Sequence, residues 1–294
     1  MDQFKYWLLA TRPKTLIASF MGVMVGGTIA HAFNDLICLV SLGGCLLFSL
    51  CIQIGTNFYN DYYDYIRGAD NFRDIAPERF ASSGRIEPIK IKNMATFVMI
   101  ASFFLGVSVV FYAQASWLFY PFGIICIFCG YCYTGGIFPL AYNGLGDIFV
   151  VLFFGVGSVV GTFMLLSGTS AHSLWTVSSL GLAVGLVINN LLVVNNYRDF
   201  EQDKTVSKNT SVVLFGKKFG LFLYIVGIFL PPLICLSVDT SLWLTIFSLV
   251  PGVLGYRALI KAKVRSHFNL ALRYSSASVL IFGVNLIAGL LLIT

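Results

Sequence analysis

Read for where apolar positions run on and where polar ones interrupt them, the chain divides into long apolar segments joined by short polar stretches. Nine segments are long enough to be helices crossing a hydrocarbon core about 30 Å thick at about 1.5 Å per residue. They cover 15–33, 36–58, 93–113, 117–136, 145–167, 174–196, 219–237, 241–259 and 272–293. They are too long and too continuous for barrel strands. The first follows Lys5, Arg12 and Lys14 and carries no convincing cleavage site, so it reads as a retained helix and not as a leader. The pattern predicts an all-α membrane protein of about nine transmembrane helices, one polytopic domain over residues 1–294.

Composition agrees with that pattern. Of 294 residues, 57% are hydrophobic and 11% charged, against about 25% charged in soluble domains. Charge placement adds an orientation. If the segment ends alternate between two sides, all 19 Lys and Arg fall on the side of the N-terminus, and the other side carries only Asp35 and Asp239. Basic loops mark the cytoplasmic face. The expected location is therefore the plasma (inner) membrane, with that face toward the cytoplasm. The net charge of +6 reads as topology and anion attraction. Nothing resembles a nucleic-acid module, and no nucleic-acid partner is expected.

Two helix ends break the apolar pattern in the same way. The second segment runs into NFYNDYYDYIRGADNFRD, Asn57 to Asp74. Asn60 and Asp64 are four apart and share a helix face, and Asp61 and Asp64 are three apart. Asp70 and Asp74 follow beyond Gly68. Ionised carboxylates beside hydrocarbon are costly, and clustered they repel one another. Mg²⁺ bound by one or two carboxylates, water and substrate phosphate would relieve both. The plain alternative is a polar helix end with solvated charges. The sixth segment ends in Asn195-Asn196-Tyr197-Arg198-Asp199-Phe200-Glu201-Gln202-Asp203-Lys204, and Asn195, Asp199 and Asp203 form a stripe four apart. Asn60-x-x-x-Asp64 matches Asn195-x-x-x-Asp199, with Tyr62 opposite Tyr197. Both stretches close even-numbered segments, so both helices run the same way, as two related halves facing each other would. Two such walls suit two Mg²⁺ with a diphosphate between them. Arg198, Lys204 and Lys208 lie beside the second wall, where charge on a departing phosphate needs stabilising.

Three other features carry less. The loop 65–92 mixes Arg67, Arg73, Arg79, Arg85, Lys90 and Lys92 with Asp70, Asp74 and Glu78; a lid over a metal-bound anion and a solvated connector both fit. The connector YCYTGGIFPLAYNGLGD, 131–147, brings Tyr131, Tyr133 and Tyr142 to the same end. An interfacial aromatic belt is the favoured reading, and a cation-stabilising wall is the other. Cys126, Cys129 and Cys132 have no fourth ligand and read as packing residues. Asn189 and Asn190 read as helix-packing polar groups.

The sequence resembles the UbiA superfamily of intramembrane prenyltransferases. The family's first signature, NDxxDxxxxxD, is matched by Asn60, Asp61, Asp64 and Asp70. Its second, NNxRDxExD, is matched by Asn195, Asn196, Arg198, Asp199, Glu201 and Asp203. YTGG-x-FPL followed by Gly-Leu-Gly-Asp, residues 133–147, is similar to the dihydroxynaphthoate branch, and the Tyr-Pro and Lys-Arg motif of the hydroxybenzoate branch is absent. The resemblance implies a helical bundle of pseudo-repeated halves. It implies Mg²⁺-dependent transfer of a polyprenyl group from a polyprenyl diphosphate to an aromatic acceptor, most simply 1,4-dihydroxy-2-naphthoate or a related naphthoate with loss of CO₂, in menaquinone synthesis; a prenyltransferase of the same superfamily with a different acceptor is the alternative. Asp61, Asp64, Asp199 and Asp203 would hold the metal, with Arg198 and Lys204 beside them in catalysis. Asn57, Asn60, Arg67, Asp70, Arg79, Arg85, Tyr131, Tyr133, Asn195, Asn196 and Lys208 would contact substrate, and the prenyl tail would lie in a groove open to the lipid bilayer. A cation-coupled transporter is the competing class, because paired acidic helix ends and duplication fit it too. Transporter sites, however, sit near the midplane, where these segments carry no Asp, Glu, Lys or Arg.

The charge asymmetry predicts that Arg85 and Lys261 label from the same, cytoplasmic face when each is replaced by cysteine, with Thr294 on the opposite side from Met1. Labelling of the two from opposite faces would overturn the nine-segment arrangement.

Overall fold

A computed structural model describes residues 2–34, 38–70, 79–167 and 174–293. Asp35, Arg73, Asp74 and Glu78, named above, lie outside the described residues. In chain order the helices are α1 (Asp2–Ala10), α2 (Ile17–Asn34), α3 (Leu39–Ile66), α4 (Pro88–Tyr112), α5 (Phe119–Cys132), α6 (Gly146–Val150), α7 (Ser158–Ser167), α8 (Leu174–Arg198), α9 (Phe200–Thr205), α10 (Ser211–Phe215), α11 (Lys217–Val238), α12 (Leu249–Ile260) and α13 (Arg265–Ile293). A π-helical stretch, Val151–Gly157, joins α6 to α7.

All nine apolar segments are helical, but not all are full spans. Among the described residues seven helices are long and apolar enough to cross a membrane, or eight if the bent pair at the N-terminus counts as one. The segment 117–136 yields only α5, 14 residues, about 21 Å at 1.5 Å per residue and short of the core. Gly135, Gly136 at φ 72° and Pro139 follow its end and turn the chain away. The first segment is bent by 52° from the helix before it. Arg12, in left-handed backbone at φ 55°, and Pro13 make that bend. The sequence reading did not anticipate α1, nor α9 and α10 within the polar stretch after α8.

α8 is the centre of the bundle. Of its most apolar eighteen residues 72% are buried, against 17 to 39% in the other six candidate spans. Its core contacts include Val177, Leu180, Val184, Val187 and Leu191, packed with Met21, Ile29, Phe163, Phe282 and Leu286 from other helices. Large side chains such as Phe97, Phe111, Trp175 and Leu292 are exposed instead, as a bundle solvated by lipid allows. Lipid removes the hydrophobic drive between helices, so close packing must hold them. Glycines supply it where α8 meets the π-helical stretch. A Cβ at Gly155 would lie 2.5 Å from Gly181 O and 2.5 Å from Gly185 Cα.

Gly155→Ala is expected to force this contact apart and destabilise the protein by about 1–3 kcal/mol, the range for overpacking. Gly43→Ala, where a Cβ meets nothing within 4 Å, is the control. Thermal unfolding of the two in one detergent checks it, and equal midpoints would remove the Gly155 contact as a packing constraint.

Candidate active site

The first wall is the end of α3. Asp61 and Asp64 are each 2% exposed. The helix stops in a glycine turn, Gly68 at φ 71°, with Ala69 N donating to Asp64 O at 2.8 Å. Asn57 Nδ2 donates to Thr11 O at 2.9 Å, fastening α3 to the N-terminal bend. Asn60 Oδ1 accepts from Thr134 Oγ1 at 2.7 Å. Arg67 donates to Thr134 O and to Gly136 O and lies 4.7 Å from the Tyr142 ring centroid. These residues hold the α5–α6 connector against α3. Asp61 Oδ2 accepts from Phe80 N at 3.2 Å, while Asp61 Oδ1 is buried with no hydrogen-bond partner among the described residues.

Asp64 is where distant parts of the chain converge. Arg79 Nη2 lies 3.4 Å from its Oδ2. Lys208 Nζ is 3.4 Å from both carboxylate oxygens and 3.8 Å from Asp203 Oδ1. Tyr142 OH donates to Asp64 Oδ1 at 2.8 Å. Arg79 Nε also faces Asp70 Oδ1 at 3.8 Å. Burial, and then the charge of Asp64, push the Tyr142 phenol well above its ordinary range, so it stays a protonated donor.

The second wall departs from the regular stripe. α8 stops at Arg198 and α9 starts at Phe200. Asp199 sits at the break, although Asp199 N still donates to Asn195 O at 2.9 Å and Asp203 N to Asp199 O at 2.7 Å. Asp203, 4% exposed, turns toward Lys208 and the first wall. Gln202 Nε2 donates to Ala69 O and joins the two walls directly. Arg198 makes a two-pronged contact with neighbouring Asp199, 2.7 Å to each oxygen. Asn195 turns back onto its own helix, Nδ2 to Leu191 O at 3.0 Å, and Asn196 is buried.

Several expected site residues are placed elsewhere. Lys204 is exposed on α9. Lys208, three residues beyond α9, is the cation that meets both walls. Arg85 donates to Tyr6 OH at 3.2 Å and stacks on that ring, tying the loop to α1. Tyr131 OH accepts from Tyr63 OH at 3.3 Å within an aromatic cluster. Among the described residues no three His, Cys, Asp or Glu side chains converge as a ready metal cage. Two participants had no distinguishing signal in the sequence. Arg12, read only as a topology charge, acts electrostatically on Asp61. Tyr142, read as part of an aromatic belt, is a direct partner of Asp64.

A cavity of about 470 Å³ adjoins the polar cluster. Thr56, one helical turn before Asn60, and Tyr133 line it, and Phe48, Ile52, Phe122 and Phe153 make much of its apolar wall. Cys126 and Cys129 also face it. The geometry is thus a charged helix-end cluster joined to an apolar chamber between helices.

That combination suits an amphiphile with an anionic head. The model of the UbiA prenyltransferase family matches residues 13–291, and the chain belongs to that family; it is a prenyltransferase. Among similar proteins, 1,4-dihydroxy-2-naphthoate octaprenyltransferase of Escherichia coli is 33% identical over 264 residues, covering 86% of this chain and 83% of the relative. The enzyme of that name from Bacillus subtilis is 28% identical, covering 97% and 92%. The one from Haemophilus influenzae is 32% identical, covering 74% and 72%. Among solved structures, a UbiA homologue from Archaeoglobus fulgidus bound to DMAPP and Mg²⁺ superposes with TM-score 0.62 at 14% identity, covering 97% of this chain and 98% of that one. At that identity the likeness is one of fold.

Lys208→Ala is expected to lower kcat about 10²-fold, the size typical of losing one charge-stabilising donor. Lys204→Ala is expected to stay near wild type. Steady-state kinetics on the two variants decide between them, and the reverse order would place the working cation on α9.

Proposed function

We propose that this prenyltransferase moves a polyprenyl group from its diphosphate to 1,4-dihydroxy-2-naphthoate, with loss of CO₂, as a step in menaquinone synthesis. The observation that carries the reading is the Asp64 cluster. It gathers carboxylates and cations from both acidic helix ends, beyond Thr56 and Tyr133, which line an apolar chamber. The names of the relatives from three bacteria support the acceptor. The ligands named for the Archaeoglobus homologue support the donor and the metal.

The residues suit Mg²⁺. Asp61, Asp64, Asp199 and Asp203 offer hard oxygen donors, and Asp61 Oδ1 is a buried oxygen with no hydrogen-bond partner among the described residues. Mg²⁺ needs only one or two carboxylates beside water and phosphate, so the lack of a preformed cage is no obstacle. Bound there, the metal supplies Lewis-acid neutralisation of diphosphate charge. Arg79 and Lys208 neutralise more of that charge as the allylic C–O bond breaks and its electron pair leaves with the diphosphate. Tyr142 keeps its proton and holds Asp64 in orientation. The chamber below Thr56 takes the tail, and Tyr133, Phe48 and Phe153 present aromatic surface to the allylic cation and exclude water. The acceptor ring then forms the new C–C bond, and the carboxyl group leaves as CO₂. The active site faces the cytoplasm of the inner membrane, the side on which the basic loops lie.

Asp64→Asn is expected to abolish most turnover while the protein stays folded, because the amide keeps the shape and loses the charge. Chelator is expected to stop wild-type turnover and Mg²⁺ to restore it. The product mass is expected to show loss of one CO₂ relative to simple ring alkylation. Full turnover in excess chelator would exclude the metal, and a product retaining the carboxyl group would exclude the acceptor chemistry.

A further inference from the structure

Asp147 lies outside the cluster on Asp64, and the proposed transfer makes no use of it. It sits in the first turn of α6 and is 8% exposed. Both its oxygens are engaged. Asn189 Nδ2 on α8 donates to Oδ1 at 3.0 Å, and Ser211 Oγ at the start of α10 donates to Oδ2. A buried carboxylate is costly unless hydrogen-bonded, so this contact ties α6, α8 and α10 together. Ser211 is only three residues from Lys208. The stretch between them is held at further points. Lys208 N donates to Asp203 O at 2.9 Å, and Asn209 N donates to Tyr142 O at 3.1 Å. Thr210 Oγ1 caps α10 by accepting from Val213 N at 3.3 Å. Lys208 emerges from this strapped segment with Nζ 3.4 Å from Asp64 and 5.2 Å from the Tyr142 ring centroid. A lysine has a long flexible stem and gives up rotamer freedom when held. Its backbone must therefore be fixed for the ammonium to stay between the two walls.

We propose that Asp147 is a positioning residue. By holding Ser211 and Asn189 it fixes the path of residues 208–211, and so places Lys208 on Asp64. This rests on the reading that Lys208 meets the diphosphate of a prenyl donor. The clamp works by hydrogen bonding and not by charge. Asp147→Asn keeps an acceptor for Asn189 and a donor for the Ser211 hydroxyl, whereas Asp147→Leu removes both at similar volume.

Two measurements on the purified full chain test this. Hydrogen exchange over residues 206–211 is expected to speed up in Asp147→Leu and to stay at the wild-type rate in Asp147→Asn; an unchanged rate in Asp147→Leu overturns the clamp. In kinetics, Asp147→Leu is expected to lower kcat about 10- to 10²-fold, up to the loss expected from removing the lysine itself. Asp147→Asn is expected to stay within a few-fold, and Asp147→Leu combined with Lys208→Ala to match Lys208→Ala alone. Losses that multiply in the double variant mark independent roles and overturn positioning. Damage in Asp147→Asn equal to that in Asp147→Leu overturns it too, because charge would then matter. Should Asp147→Leu fail to fold, Ser211→Ala removes one strand of the clamp and is expected to raise exchange over 206–211; no rise there overturns the proposal. A wild-type protein that makes no prenylated product would sink the transfer reading, while the exchange experiment would still decide the clamp.

Discussion

A carboxylate taken out of water at the end of a membrane helix must be neutralised, and in this protein that requirement gathers the site. Asp64 is almost fully buried, and its charge is met by Arg79, Lys208 and Tyr142. Those partners come from three separate connections, up to 144 residues away. Stripping a buried ion of its partners costs far more than the pair gains over water. Arg79, Tyr142 and Lys208 are therefore committed to one arrangement around Asp64. The polar connections of this bundle are less passive than their composition suggests, because Arg79, Tyr142 and Lys208 all meet Asp64.

The bundle beneath supplies a different constraint. Lipid is as apolar as the helix surfaces, so packing and not water drives association. The response is a central helix, α8, approached at backbone distance through Gly155, Gly181 and Gly185. The π-helical winding at Val151–Gly157 falls at this contact. On the other side of that stretch, Phe149, Phe153 and Phe154 line the apolar chamber. Tight packing on one face and open space on the other let one frame hold both a charged cluster and an apolar chamber. Transfer chemistry needs both at once: fixed charges where the diphosphate leaves, and a dry cavity where the carbocation would otherwise meet water.

Much of this was legible in the sequence because it is local. The length of an apolar run is set by bilayer thickness, and the one-sided placement of Lys and Arg by the membrane's own asymmetry. Asn60, Asp61, Asp64, Asn195, Asp199 and Asp203 stood out because carboxylates are costly at those depths and their spacing places them on helix faces. The count of nine is approximate: at 117–136 the described helix has 14 residues, because Gly135, Gly136 and Pro139 follow its end. The same reasoning also assumed that α8 continues unbroken through Asp203.

Tertiary structure alone chose the partners. Lys208 lies beyond the end of α9, where position no longer follows from counting along a helix, and it reaches Asp64, while Lys204 is exposed. Asp147, Tyr142 and Arg12 belong to sequence stretches whose periodicity marks nothing special. Their roles come from contacts with segments far along the chain, where a buried carboxylate takes whichever donor the loop path brings to it. The sequence by itself determined the apolar helices and the two acidic ends, because those follow from spacing and solvent. Which cation neutralises which acid was decided only in three dimensions, because competition for a buried charge is settled by geometry across the whole bundle.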